Sequence, residues 1–295
     1  MAEYSRTQRL RWFPLVRHEA SRLLLSKGPW LLAVVLPLWI YRPSFDLGDA
    51  LGANVTITFV QYVAHIVVPF AVVLLCYRTI AGERESKQLK TLLNLPLSRQ
   101  ELFIAKFLGR LIGVLTPILL AIAIVTGLGV VNTGLMSIQK YLAVLGVTVV
   151  YVAALVGITV SVSAVVSRGI TAAAVLFFGV VVVMELLWRQ VVGQIVAFAT
   201  DAGLLTDEST RDAVVIFLQR LTPSESYYTT TNWVLSSENA VGRIRSSGEP
   251  AIILSERFND IPWYLHEGFG PVILLLWVVL PLGIGMFVFS RGDAL

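Results

Sequence analysis

Four long stretches of this sequence carry no Asp, Glu, Lys or Arg: those between Asp49 and Arg78, Arg110 and Lys140, Lys140 and Arg168, and Glu267 and Arg291. An ionised side chain at the centre of a bilayer costs at least about 2.5–3.5 kcal/mol, and each interval exceeds the roughly 20 residues that cross a hydrocarbon core of about 30 Å. All four are dominated by Val, Leu, Ile, Ala and Gly. Only 14% of the 295 positions are charged and 56% are hydrophobic, whereas soluble domains carry about 25% charged residues. A large soluble domain is excluded, and membrane helices must account for most of the chain.

A fifth apolar run begins after Arg168 and reaches about Thr200, broken only by Glu185 and Arg189, which stand four apart on one helix face. A sixth, Gly28 to Tyr41, is short enough to suit an interfacial or re-entrant segment. The distribution of basic residues decides in favour of a span. Arg6, Arg9, Arg11, Arg17, Arg22 and Lys27 precede this run, and Arg78, Arg84, Lys87, Lys90, Arg99, Lys106 and Arg110 follow the next one. Both basic groups belong on the cytoplasmic side, so two crossings must separate them. The resulting expectation is a single all-α integral membrane domain over residues 1–295, with spans at about 28–42, 53–77, 110–132, 141–166, 170–199 and 269–290. Both termini are expected in the cytoplasm of a plasma-membrane protein, with 78–109 a cytoplasmic connecting region and 200–268 an external loop. No cleavable leader is expected, because about 27 arginine-rich residues precede the first apolar run and no small-residue cleavage site follows it.

The external loop holds ten carboxylates against five arginines. Thr206, Asp207 and Glu208 resemble a helix start, Val214, Phe217, Leu218 and Leu221 form one apolar face, and Pro223 is expected to end that helix. A second short helix is expected from Ser224 to about Leu235, and the whole loop is expected to cap the outer mouth of the bundle, with Ile252 to Leu254 and Trp263 as further contacts. At the other end of the chain, Pro14 can open an interfacial helix with Leu15, Ala20, Leu23 and Leu24 on one side and Arg17, His18, Ser21 and Arg22 on the other.

Several kinds of chemistry have no residues to support them. There is no Gly-Lys dipeptide, hence no phosphate-cradling GxxxxGK[ST] loop. The pairs His18-Glu19 and His266-Glu267 meet Arg22 and Gly270 where a zinc protease needs its second histidine. One cysteine, Cys76, and three histidines exclude a disulfide framework and leave no cluster for a metal. The net charge of +4 is too small to imply nucleic-acid binding. The chain is expected to be no enzyme and to bind no cofactor of its own.

The most specific segment joins the second and third spans. Leu89, Leu92, Leu93 and, less regularly, Leu95 form an apolar ridge, Lys87, Lys90, Thr91 and Asn94 make the opposite side polar, and Pro96 stops the helix. Ser98 with Glu101 three residues later forms a capping box for the next helix. Such an amphipathic stub suits either a lipid surface or a groove on a soluble partner. The order Glu83-Arg84-Glu85, a leucine-rich turn, Leu95-Pro96-Leu97-Ser98-Arg99 and then Lys106 resembles the signature of ABC-2-type permeases, the membrane subunits of exporter-type ABC transporters. The resemblance covers the whole chain in outline, and Leu221-Thr-Pro-Ser-Glu-Ser-Tyr227 is similar to a Pro-containing stretch of that family's external loop. Where the family often has Gly-Thr, this chain has Lys87-Gln88.

The resemblance implies a coupling helix in the 78–109 region that receives force from an ABC ATPase subunit, which binds the ATP. It implies Glu83, Glu85, Leu89, Leu92, Leu93, Pro96 and Arg99 as the coupling residues, with the leucines and Pro96 meeting either the ATPase or the base of the bundle. Glu83 and Glu85 are candidates for helix initiation or for pairing with the partner or with Arg84. It also implies a second permease copy, identical or related, within the bilayer. Glu185 and Arg189 are candidates for an ion pair or for lining a translocation path, and His65 for a hydrogen-bonded packing residue. Gly109 with Gly113, and Ala153 with Gly157 and Ser161, mark helix faces small enough for close packing, within one bundle or across a dimer. The alternative from another class is a secondary carrier or a membrane scaffold without an ATPase.

Overall fold

The computed structural model describes residues 12–38, 55–94, 96–133, 137–235 and 261–291. Leu95, residues 39–42 at the end of the first expected span, the stretch 252–254 and the side chain of Leu93 lie outside the described residues. All regular structure among the described residues is helical. In chain order the helices are α1 (Phe13–Leu24), α2 (Lys27–Leu38), α3 (Val55–Cys76), α4 (Ala81–Glu85), α5 (Gln88–Leu93), α6 (Arg99–Thr133) and α7 (Ile138–Val165). There follow α8 (Gly169–Asp201), α9 (Glu208–Gln219), α10 (Pro223–Leu235) and α11 (Gly270–Arg291), the last entered through two 3-10 turns at Trp263–Leu265 and Glu267–Phe269.

Four segments, Arg99–Val131, Ile138–Val165, Gly169–Asp201 and Glu267–Arg291, are long and apolar enough to cross a membrane, and the pair α1 and α2, bent by 62°, is a fifth if counted as one broken span. α3 adds 22 residues without a charged side chain, about 33 Å at 1.5 Å per residue. α6 is longer than its expected span, because the capping box at Ser98 starts the helix well before the apolar run. Ser98 N–H donates to Glu101 Oε2 at 2.7 Å and Glu101 N–H to Ser98 Oγ at 3.2 Å. At 35 residues, or about 52 Å, α6 outruns a hydrocarbon core of about 30 Å, so its first turns, with Lys106 and Arg110, project from the apolar run that begins at Leu111.

The glycine-bearing faces are used inside the bundle. A Cβ at Gly109 would lie 2.5 Å from Glu19 Cβ and one at Gly113 would lie 2.7 Å from Leu23 Cδ2, so α1 rests directly on α6. Gly157 meets Leu282 and Ser161 meets Gly285, which brings α7 against α11. Small residues let these backbones approach.

The segment read from sequence as an external loop differs from the expected cap in two respects. α9 ends at Gln219, and Pro223 opens α10 rather than closing α9, the position where its missing N–H costs nothing. α10 also does not rest on the bundle but is embedded in it, against α3, α7 and α11, with Ser224, Ser226, Tyr227, Thr230 and Thr231 all buried. Two of its threonine hydroxyls bond within the helix, Thr230 Oγ1 donating to Ser226 O at 2.6 Å and Thr231 Oγ1 to Tyr227 O at 2.9 Å, while Tyr227 Oη meets Thr148 of α7. A Ser/Thr-rich helix can therefore be buried at little cost, although its composition suggests exposure.

Candidate functional site

The connector between α3 and α6 is fastened to four helices by three consecutive side chains, Glu83, Arg84 and Glu85. Glu83 Oε1 accepts from Lys106 Nζ at 2.6 Å, and the same ammonium donates to Glu19 Oε1 of α1 at 2.8 Å. Arg110 Nη2 stands 3.4 Å from the other oxygen of Glu19. Lys106 has no exposed surface, while Glu19 and Glu83 keep only 2% and 6% of theirs. Two carboxylates and two cations thus form a charge-balanced cluster sealed between α1, α4 and α6. For Glu19, burial opposes ionisation but Lys106 and Arg110 outweigh it and hold the carboxyl below its ordinary value. For Glu83 burial wins over Lys106, and its carboxyl is pushed up. Glu83 Oε2 is buried without a hydrogen-bond partner, which agrees with that direction.

Arg84 turns the other way, donating from Nη1 to Val166 O at 2.9 Å and from Nη2 to Ala164 O at 3.1 Å. These carbonyls close the last turn of α7, which an α-helix leaves without intrahelical partners. The service is reciprocal. Ser163 Oγ of α7 accepts from the backbone N–H groups of Ile80 and Ala81, each at 3.0 Å, and donates to Tyr77 O at 2.8 Å, so α7 caps the start of α4. Glu85 Oε2 accepts from Gly169 N, the first amide of α8, at 3.3 Å and stands 3.7 Å from Arg78 Nη2. Each residue has its own anchor: Lys106 for Glu83, the end of α7 for Arg84, and the start of α8 for Glu85.

Of the ridge leucines, Leu89 is buried and Leu92 packs partly buried against the main core, so these two meet the bundle, while Gln88, Thr91, Asn94 and Pro96 remain exposed. Arg99 reaches Phe289 O at 3.4 Å and ties the start of α6 to α11. Between α4 and α5 the chain reverses at Lys87, whose φ of 62° is the one positive value at a non-glycine among the described residues. An L-residue there costs roughly 1–2 kcal/mol relative to glycine.

A second polar group lies at the opposite end of the bundle, around α10. Ser224 Oγ donates to Glu185 Oε1 of α8 and lies 2.8 Å from Tyr151 Oη, and His65 Nδ1 is 3.2 Å from Ser224 O. Arg189 stands 4.0 Å from Glu225, the next residue of α10. Glu185 and Arg189 are thus set against neighbouring positions of the buried helix. The stretch Phe177–Leu187 that delivers Glu185 is wound as a π-helix, a form often found at functional sites. Tyr151 and Tyr227 stack at 4.4 Å, and Gln61 Nε2 donates to Asn232 Oδ1 at 2.7 Å. Among the described residues no cluster of His, Cys, Asp or Glu could hold a metal.

A family model described as ABC-2 family transporter protein matches residues 14–294. The chain belongs to the ABC-2 transporter family. No curated protein matches it. As an ABC-2 protein it is a multi-pass membrane permease subunit of an ABC transporter, a transport subunit and not itself catalytic. Permeases of this family typically work with an ATPase subunit. Three residues of this permease's charge cluster, Glu19, Lys106 and Arg110, had no site role assigned from sequence. Glu19 lies on the apolar stripe of α1 with Leu15, Val16, Ala20 and Leu23, and Lys106 falls among Leu102, Phe103 and Ala105, all buried in α6. A lone charge within an apolar helical stripe was the available signal.

Proposed function

We propose that this chain is the membrane-spanning half of an ATP-driven exporter in the plasma membrane, assembled as a dimer with a separately encoded ABC ATPase that binds the ATP. Six spans, with α2 and α3 as the first two, and both termini in the cytoplasm follow from the positive-inside distribution. The connector then faces the cytoplasm. The observation that carries the reading is the sealed Glu19–Lys106–Glu83 cluster, because force applied to α5 by a partner is useful only if the connector cannot yield. With Glu83, Arg84 and Glu85 each fixed to a different helix, displacement of α5 moves α1, α6, α7 and α8 together. A rigidly packed network transmits such a displacement where a flexible loop absorbs it.

The test is co-expression of the chain with a candidate ABC ATPase, followed by reconstitution. The permease alone should bind and hydrolyse no ATP, and the complex should couple hydrolysis to transport. Ser163→Ala, which removes the cap of α4, should leave the complex assembled but lower transport per ATP hydrolysed. Transport driven by an ion gradient without any ATPase would instead establish a secondary carrier, and a stable complex with no transport would establish a scaffold.

A further inference from the structure

We propose that Lys87 is a specificity-determining contact of the connector, an ammonium that engages a carboxylate on the docking surface of the ABC ATPase. This rests on the function proposed above and adds the chemistry of the contact. The backbone argues first. The turn between α4 and α5 is imposed from both sides, by the anchors of Glu83, Arg84 and Glu85 before it and by buried Leu89 after it. The reversal places Lys87 at φ 62° and ψ 4°, where its side chain makes no capping hydrogen bond to the helix it precedes. Glycine would sit there without strain, so a lysine in this place is disfavoured by the fold, and strained positions concentrate where function demands them.

The surroundings define the partner. With Leu89 turned inward, the described outer surface of the connector includes Ser86, Lys87, Gln88, Thr91 and Asn94, all exposed, so it offers polar groups to a partner. The charge of this face is basic. The Glu85 contacts to Arg78 and to Gly169 N bring together Arg78, Glu85 and the exposed Arg168, and Lys87 follows two residues on, which leaves three cations against one carboxylate. Charge complementarity selects an acidic surface. A protein is favoured over anionic lipid because the anchors hold Lys87 on the connector that the proposed ATPase must touch, and no tryptophan or tyrosine belt accompanies it in sequence between Arg78 and Arg110.

The experiment measures affinity of the purified ATPase for the full-length permease in detergent free of anionic lipid, at low and moderate salt. Lys87→Gly and Lys87→Asn, both compatible with the left-handed turn, should weaken binding about fivefold and flatten its salt dependence. Lys87→Arg should restore it, and Lys87→Glu should weaken it further. Lys87→Gly should unfold at or above the wild-type temperature, which separates a lost contact from a damaged fold. Affinity within twofold of wild type for both the Gly and Asn variants would overturn the proposal, as would a difference that appears only when anionic lipid is added. Thr91→Trp, at an exposed position of α5, keeps the two readings apart: if it abolishes binding while Lys87→Gly has no effect, the docking site stands and the role of Lys87 falls. If the wild-type permease retains no ATPase, both fail.

Discussion

Replacing Lys106 by Met tests the charge cluster at its centre. Two contacts of 2.6 and 2.8 Å correspond to a gross attraction of about 6 kcal/mol each at an effective dielectric constant of about 20. Most of this is offset by the desolvation of a lysine with no exposed surface. The cost of the substitution therefore comes chiefly from the carboxylates it strands, and should be about 3–5 kcal/mol. The two glutamates are not equivalent. Glu19 retains Arg110 at 3.4 Å, whereas Glu83 is left with no cation bonded to it among the described residues. Hence Lys106→Met combined with Glu83→Gln should recover more stability than Lys106→Met with Glu19→Gln, and the cost of Lys106→Met should shrink as pH is lowered and Glu83 takes up a proton. Unfolding free energies in mixed micelles, arranged as double-mutant cycles, measure each quantity. A loss below about 1 kcal/mol for Lys106→Met, or equal rescue by the two glutamines, would refute the account.

Four further expectations follow from the same contacts. Ser163→Ala strips one acceptor from two buried amides and should cost about 1–3 kcal/mol in the same unfolding assay. Gly109→Ala should destabilise by about 1–3 kcal/mol by forcing α1 off α6, while Gly146→Ala, whose Cβ would meet nothing within 4 Å, should be neutral or stabilising by up to about 1 kcal/mol. Glu19, held below its ordinary 4.5, contributes stability that is present above that pH and is lost as pH falls through its folded value. Glu83, held above 4.5, contributes stability that is present below that pH and is lost as pH rises through its folded value. Glu19→Gln should accordingly flatten the acid side of a stability–pH curve, and Glu83→Gln the opposite side. Arg84→Ala should open the last turn of α7, seen as faster amide exchange around residues 164–169.

The ends of the helices were legible where a local rule governs them. Ser98 with Glu101 starts α6, and Asp207 accepts from Thr210 N at the start of α9, because a cap is satisfied within one turn of chain. The burial of α10 was not legible, since Ser, Thr and Tyr read as exposed until their hydroxyls are seen bonding within the helix and to α7 and α8. The family signature was likewise visible as a string of residues, yet its physical content was hidden. Glu83, Arg84 and Glu85 are neighbours in sequence but reach partners 23, 80 to 82, and 84 positions away.

What the sequence determined alone is the membrane character of the chain and its helical class. The bilayer penalises each charge separately, so a linear scan of charge-free lengths suffices. Tertiary structure decided which charges are buried together, which leucines turn toward the bundle, and that a lysine occupies a left-handed turn. Those outcomes depend on compensation between groups far apart in the chain, and a sum over single residues does not contain them.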